Sequence, residues 1–180
     1  MSDKLLINKL TNLKHLLSNY ELIDENLKAI LTTIKEFTNS DAATIYRLNQ
    51  DNSALEFIAV QTDSLFLDLA KSDNNIPWPD LELYDENNNP NNINASVVCL
   101  LNNKIFNIPD VYKYDDFDFE GPKAFDQFTG YETRSMLILP ITNNDNKNIG
   151  ILQLINKKDT QGDTISFTKE EEKVLFSILS

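Results

Sequence analysis

A narrow stripe of leucines is the first hydrophobic pattern along the chain. The leucines are spaced by four, three and four residues, which places them on one side of an α-helix: Leu6, Leu10, Leu13 and Leu17. A stripe this narrow is typical of a coiled-coil seam. We therefore predict that residues 1–20 form a helix through which two copies of the chain dimerise, and that residues 21–180 form the domain that follows.

A second amphipathic helix is predicted to begin near Asp24, because aspartate is a good residue for capping a helix N-terminus. Its buried face is marked by Ile23, Leu27, Ile30, Ile34 and Phe37. The polar run 39–41 ends this helix. A last helix is predicted to begin near Thr168, since Glu171 three residues later completes a capping box.

Between these helices, segments rich in β-branched and aromatic residues predict a sheet. The predicted strands cover residues 43–48, 55–60, 104–108, 135–141 and 149–155, and a short helix covers residues 96–101. Polar turns connect the first two strands and the last two. Strands joined by such tight turns pair antiparallel, so we expect the sheet to be mostly antiparallel.

Two segments fit neither a helix nor a strand. Residues 73–94 are polar and rich in proline and asparagine, and residues 112–130 are acidic, aromatic and irregular. The helices at the two chain ends can pack on one face of the sheet, so the irregular segments can only cover the other. We expect an α+β fold with a central mostly antiparallel sheet, N- and C-terminal helices on one face, and a loop-lidded ligand pocket on the other.

Charge narrows the choice of partners. The 180 residues include 28 acidic and 16 basic side chains, which gives a net charge of −12. Such a domain repels phosphate polymers, so we expect neither a nucleic acid nor an anionic membrane as a partner. One small anion could still bind in a local pocket. No apolar run is long enough to span a membrane or to act as a signal segment.

Cysteine and histidine are too scarce for several kinds of chemistry. The chain has one cysteine, Cys99, and one histidine, His15, which excludes an internal disulfide, a paired-cysteine metal site and a catalytic triad with a second histidine. We expect a core thiol at Cys99, a solvated helix face at His15, and a cytoplasmic protein. The acidic run 115–120 lacks the glycine-centred loop of an EF-hand, so we expect a solvated lid there and no metal site.

Three segments of the C-terminal half resemble those of a known family. They are FNIPDVY at 106–112, FDQFTGYETRSM at 125–136 and IGILQLINK at 149–157. In this order they resemble GAF domains of cyclic-nucleotide phosphodiesterases and related cyclases. The resemblance extends to the Asn-Lys…Phe-x-x-x-acid signature of those domains, here Asn156, Lys157, Phe167 and Glu171. It implies a salt bridge from Lys157 to Glu171, where aspartate is more usual, with a structural role.

Shorter segments resemble a bacterial subgroup of GAF domains. They are IPWP at 76–79, LYDE at 83–86 and FDFEG at 117–121. Domains of that subgroup lie ahead of HD-type phosphodiesterases, nucleotide cyclases or other signalling outputs. The resemblance therefore implies a regulatory module that is not an enzyme by itself and whose output domain would lie outside this chain.

The family resemblance also implies a ligand site. The positions that match it are Thr44, Gln61, Ser96, Ile108, Asp126, Thr129, Thr133 and Gln153. The implied ligand is a cyclic nucleotide, cAMP or cGMP, with an aspartate accepting from the purine edge and threonine hydroxyls bonding the phosphate. In the alternative, Thr129 and Thr133 merely cap turns and Asp126 faces water.

This chain departs from the family where binders place a stacking phenylalanine and an aspartate, because it has Val60, Gln61 and Thr62 there. Trp78, Phe106 and Tyr131 are candidates for a replacement aromatic ring. On strand alternation Gln153 shares a face with apolar neighbours, so its amide needs a partner, either a ligand or the covering loop.

These patterns lead to three alternative hypotheses about the function. The first is a sensory domain that binds a small ligand and controls an attached output domain, as a homodimer through its terminal helices. The second is a ligand-free scaffold for dimerisation or protein interaction, which a pocket filled by Phe117, Phe119 or Phe125 would favour. The third is a methionine sulfoxide reductase, which a single cysteine argues against.

Overall fold

The computed structural model describes residues 3–19, 24–71 and 76–180 of the chain. Within them the helices are α1 (Asp3–Asn19), α2 (Asp24–Thr38), α3 (Ala95–Asn102), α4 (Glu120–Thr129) and α5 (Lys169–Leu179). The strands are β1 (Ser40–Leu48), β2 (Ala54–Thr62), β3 (Leu67–Ala70), β4 (Leu81–Glu82), β5 (Phe106–Ile108), β6 (Met136–Thr142), β7 (Asn148–Lys158) and β8 (Thr164–Ile165). A short 3₁₀ helix, Val111–Lys113, follows β5.

One antiparallel sheet contains every strand of the described residues. Its order is β3-β2-β1-β7-β6-β5, with β4 paired to β2 and β8 paired to β7. The central strand β1 places Thr44 opposite Val60 of β2 on one side and opposite Gln153 of β7 on the other. The predicted α+β class with a central antiparallel sheet is confirmed.

Helices α1, α2 and α5 cover one face of the sheet, which we call the helix face. Aliphatic side chains fill the space between them and the strands, including Leu27, Ile30 and Ile34 of α2, all fully buried. Thr168 caps α5 through the predicted capping box, in which Glu171 accepts from the backbone of Thr168. Ile23, predicted for the buried face of α2, lies outside the described residues.

The leucine stripe of α1 faces the protein's own core. Leu6, Leu10, Leu13 and Leu17 are each 2% exposed or less and belong to the core of the helix face. Hydrophobic spacing alone cannot distinguish a seam between two chains from a helix packed on its own domain, and here the second arrangement occurs. The stripe therefore does not support the predicted dimer, which stays a prediction. The predicted domain boundary at residues 20 and 21 lies outside the described residues.

Helices α3 and α4 and the segment 76–94 cover the opposite face, which we call the cavity face. The predicted irregular course of residues 112–130 is wrong over Glu120–Thr129, which is helix α4. Pro122 lies in the first turn of α4, where a backbone N–H has no partner within the helix, so proline does not disrupt it. Strands β3, β4 and β8 were not predicted from the sequence and are short.

No helix in the described part of the chain is long and apolar enough to cross a bilayer. Likewise, the described residues contain no cluster of three histidine, cysteine or acidic side chains that could hold a metal ion.

Candidate ligand site

A cavity of about 300 Å³ lies between the sheet and the elements of the cavity face. Aromatic side chains form much of its wall: Tyr46, Phe57, Trp78, Phe119, Phe125 and Tyr131. The rings follow one another in contact, with centroid separations of 4.6 Å from Tyr46 to Phe57 and 5.6 Å from Phe57 to Trp78. Trp78 then contacts Phe125 at 5.8 Å. Such a wall suits a planar ligand.

Strand alternation supplies the floor of this cavity. Alternate residues of a strand point to opposite faces, so Thr44 and Tyr46 of β1 share the cavity with Thr62 of β2 and Gln153 of β7. Their neighbours in sequence, such as Ile45 and Leu152, enter the core of the helix face instead. The same strands therefore serve both layers.

Two hydroxyl groups in the cavity have no partner. Thr44 and Thr62 are each 5% exposed, and among the residues that the structure describes neither hydroxyl makes a hydrogen bond. Neither oxygen is among the buried side-chain atoms that lack a partner, so both keep accessible surface inside the cavity. Both hydroxyls can donate and accept, so a polar molecule in the cavity would satisfy them.

Gln153 lies on the floor with an incompletely bonded amide. Its Oε1 accepts from the hydroxyl of Tyr46 at 3.2 Å. Burial raises the pKa of Tyr46, so this hydroxyl stays a donor at neutral pH. The amide nitrogen contacts only the Oγ of Ser96 at 3.4 Å and the sulfur of Met136 at 3.3 Å. Both contacts are long or weak, so Nε2 can donate to a ligand.

Asp126 has its acceptors occupied by the protein itself. Its carboxylate accepts from the Tyr112 hydroxyl, the Thr133 backbone N–H and the Thr133 hydroxyl, each at 2.8 Å. The side chain is 5% exposed and does not line the cavity. Asp126 therefore neither faces the ligand space, as the resemblance implied, nor faces water. It joins α4 to the segment that enters β6.

Three other predicted ligand positions also lie outside the cavity. Thr129 ends α4, where its hydroxyl donates to the Phe125 carbonyl at 2.7 Å. Ile108 is fully buried in the core of the cavity face. Gln61 lies on the helix face, where its amide donates to the Lys28 carbonyl at 3.1 Å, because strand alternation turns it away from Thr44.

The structure thus brings together four of the predicted positions, Thr44, Ser96, Thr133 and Gln153. Of the candidate aromatic replacements, Trp78 and Tyr131 line the cavity, whereas Phe106 packs on Phe117 with ring centroids 4.7 Å apart. Sequence reasoning missed Tyr46, Phe57 and Thr62. Alternation from Thr44 along β1 could have found Tyr46. It could not have found Phe57 from Thr62, because the β1–β2 register shifts between them and places Ile58 in the core of the helix face.

Asn156 stabilises the segment that carries Thr133. Its side chain accepts from the backbone N–H of Arg134 and donates to the carbonyl of Glu132, both at 2.7 Å. The backbone of Asn156 is in the left-handed region, with φ of 56°. Asparagine tolerates this conformation better than most residues.

Lys157 joins strand β7 to two helices. Its amine forms an ion pair with Glu171 at the start of α5 and also donates to the carbonyl of Thr38, the last residue of α2, at 3.1 Å. Both members of the ion pair are largely buried, with 12% and 13% of their side chains exposed. Phe167 packs nearby in the core of the helix face.

Comparison with protein families decides the assignment. The model of the GAF domain matches residues 23–180. The chain belongs to the GAF domain family. Over 69 residues it is 45% identical to the dual 3',5'-cyclic-AMP and -GMP phosphodiesterase 11A of Takifugu rubripes. That match covers 38% of this chain and 7% of the phosphodiesterase, so it spans less than a tenth of that relative's length.

Solved GAF structures share the fold. The GAF domain of an Acinetobacter phosphoenolpyruvate-protein phosphotransferase superimposes with a TM-score of 0.60 at 16% identity, covering 100% of this chain and 90% of that chain. A type II free methionine-R-sulfoxide reductase from Thermoplasma acidophilum gives a TM-score of 0.56 at 17% identity, covering 95% of this chain and 89% of that chain. Identities this low show the fold alone.

Membership of the GAF family supports a sensory or regulatory role. The name of the reductase indicates that this fold can also occur in an enzyme. The accessibility of Cys99 is therefore relevant, because a thiol can act as a nucleophile. Cys99 is fully buried in α3 and does not line the cavity. Burial raises the pKa of its thiol, and a protonated, inaccessible thiol is a poor nucleophile.

Proposed function

We propose that this GAF domain binds a small planar molecule in its cavity and controls a signalling output domain attached to it. The observation that carries this proposal is the pair of Thr44 and Thr62 hydroxyls, which lie in the lining of an aromatic cavity and have no protein partner among the described residues. A cavity that existed only as a packing defect would be lined by apolar groups, whereas this one also has two threonine hydroxyls and the Gln153 amide in its lining.

The size and lining of the cavity fit a ligand site. About 300 Å³ lies at the lower end of the range for small-molecule sites. Rings such as those of Phe57 and Trp78 can stack on a flat heterocycle, and Gln153 can donate to one of its ring or carbonyl acceptors. Because the related phosphodiesterase is named for cyclic AMP and cyclic GMP, cyclic nucleotides are the first compounds to test.

A route from the cavity to the chain ends passes along β7. Gln153 lines the cavity, and four residues later Lys157 bonds the end of α2 and the start of α5. A ligand that favours one position of β7 would therefore favour one arrangement of these helices. Control of an output domain then follows from a shift between two populations.

The scaffold hypothesis predicts a cavity filled by the protein's own phenylalanines. Phe119 and Phe125 line the cavity without filling it, and Phe117 packs on Phe106 away from it. The remaining space favours ligand binding over the scaffold.

The test is a thermal-shift screen of the purified chain against cyclic AMP, cyclic GMP, cyclic di-GMP, nucleosides and a general metabolite set. A ligand at a hundred times its dissociation constant stabilises the fold by roughly 2.7 kcal/mol, which raises the midpoint by several degrees. Thr44→Val should weaken that ligand by about two- to tenfold, since it removes one hydrogen bond.

Thr33→Val is the matched control, because the buried Thr33 hydroxyl already donates to the Ala29 carbonyl within α2. It should leave the dissociation constant unchanged. A screen in which no compound shifts the midpoint would contradict ligand binding and favour the scaffold.

A further inference from the structure

The cavity is poor in positive charge. Among the described residues that line it, none is a lysine or an arginine, and Asp118 is the one charged side chain. The whole chain has a net charge of −12. A phosphate entering the cavity would therefore depend on backbone N–H groups for stabilisation, above all those at helix N-termini.

The N-terminus of α3 borders the cavity, but its donors are largely in use. The Oδ1 of Asn94 accepts from the backbone N–H of Ser96 at 3.0 Å and of Val97 at 3.2 Å. The N–H of Val98 donates to the Asn94 carbonyl. Asn94 thus accepts from the N–H groups of Ser96, Val97 and Val98, the second to fourth residues of α3.

The N-terminus of α4 is occupied by a carboxylate. The Oδ1 of Asp118 accepts from the backbone N–H of Glu120 at 2.7 Å. Pro122 has no N–H to offer, and the N–H of Lys123 donates to the Phe119 carbonyl. The N–H of Gly121, a cavity-lining residue, is the donor that remains in this turn among the described residues. The position that would suit a phosphate therefore already holds the negative charge of Asp118, with Glu120 in the same turn.

We propose that the cavity selects an uncharged planar heterocycle, such as a nucleobase or nucleoside, over the same compound bearing a phosphate, and that Asp118 determines this specificity. This inference rests on the proposed function, since it names the class of ligand. The hydrogen-bonding groups that remain available, the hydroxyls of Thr44 and Thr62 and the amide of Gln153, are all neutral. They match a base edge or a sugar hydroxyl and add no charge.

The experiment compares two pairs of compounds that differ by the cyclic phosphate: adenosine with cyclic AMP, and guanosine with cyclic GMP. Calorimetric titration of the full chain measures each dissociation constant at low and high salt. We expect the nucleoside of at least one pair to bind about tenfold or more tightly than its cyclic nucleotide. High salt should reduce this ratio, because it screens the repulsion of the phosphate.

Asp118→Asn tests the residue itself. Asparagine keeps an Oδ1 that can accept from the Glu120 N–H, so this hydrogen bond is kept while the charge is lost. We expect this variant to reduce the preference for the nucleoside at least about threefold, mainly by improving binding of the cyclic nucleotide. Asp116→Asn is the control, because Asp116 is exposed like Asp118 and belongs to the same segment, but it does not line the cavity. It should leave the ratio unchanged.

The outcomes separate this inference from the proposed function. Cyclic nucleotides that bind as tightly as their nucleosides, or more tightly, would overturn the inference and support ligand binding. A preference for the nucleoside that Asp118→Asn leaves unchanged would overturn the role of Asp118. If none of the four compounds binds, the proposed function fails for this class of ligand and the inference fails with it.

Discussion

The two faces of the central sheet are built from alternate residues of the same strands, yet their side chains differ in chemistry. On the helix face, Ile45 and Leu152 enter a core of aliphatic side chains with no exposed surface. On the cavity face, the adjacent Thr44 and Gln153 line the cavity with hydrogen-bonding groups that have weak protein partners or none. Stability and ligand recognition can therefore be assigned to alternate residues of one strand. Substitutions on the helix face should therefore lower stability, whereas substitutions of cavity-lining polar groups should mainly affect ligand binding.

The largest effect is expected on the helix face at Leu13. Leu13→Ala should lower the free energy of unfolding by about 2–5 kcal/mol, because it leaves a cavity in a closely packed core. Urea denaturation measures this loss. Leu5→Ala is the matched control on the same helix, since Leu5 is 44% exposed. If Leu13→Ala changed only self-association and left unfolding unaffected, α1 would be a dimerisation helix after all.

Lys157→Ala tests the connection of strand β7 to helices α2 and α5 of the helix face. Removing the amine leaves Glu171 largely buried without its ion-pair partner, so we expect a loss of about 3 kcal/mol in the free energy of unfolding. Thermal denaturation of Lys157→Ala, Glu171→Ala and the double variant measures the coupling. An unchanged midpoint in Lys157→Ala would contradict a structural role.

Asp126→Ala tests whether a residue on the cavity side can also contribute to stability. Asp126 lies on the cavity side, yet its carboxylate accepts three hydrogen bonds from the protein. We expect the unliganded chain to lose about 2–3 kcal/mol of unfolding free energy, since buried donors lose a charged partner. Chemical denaturation without ligand measures it. Unchanged stability together with lost ligand binding would instead make Asp126 a ligand contact, as the family resemblance implied.

The smallest effect on stability is expected at Thr62, within the cavity. Thr62→Val replaces an unbonded hydroxyl by a methyl group of similar size. The free energy of unfolding should therefore not fall, and should change by less than about 1 kcal/mol. Urea denaturation of Thr62→Val and Leu13→Ala in parallel compares the stability losses on the two faces directly. A clear loss of stability in Thr62→Val would show that its hydroxyl has a structural partner.

The sequence predicts the helix face better than the cavity face, for a physical reason. Periodic hydrophobic positions report burial, so α2, α5 and the long strands were identified from their spacing. The same spacing could not distinguish packing of Leu10 in the core of its own chain from packing against a second chain. Helix α4 was missed because Gly121 and Pro122 are adjacent in its first turn, where their cost to a helix is least.

Predicting the cavity from the sequence would have required knowing which groups bond one another in three dimensions. Matching a family motif placed Asp126 and Thr133 in the site, but a motif cannot show that these two side chains bond each other. Alternation along β1 was sufficient to place Tyr46 on the face of Thr44. Placing Gln61 on the opposite face also required the pairing of Thr44 with Val60 across the two strands. The unbonded state of the Thr62 hydroxyl follows from the fold as a whole.

Asn156 imposes two demands that no other side chain meets together. Its left-handed backbone favours glycine or asparagine, while its amide must accept from Arg134 and donate to Glu132 at once. Glycine would keep the backbone and lose both bonds. Aspartate would keep the acceptor but set a negative charge against a carbonyl oxygen. In a library of all twenty residues at this position, asparagine should therefore be the one survivor of strong selection for folding.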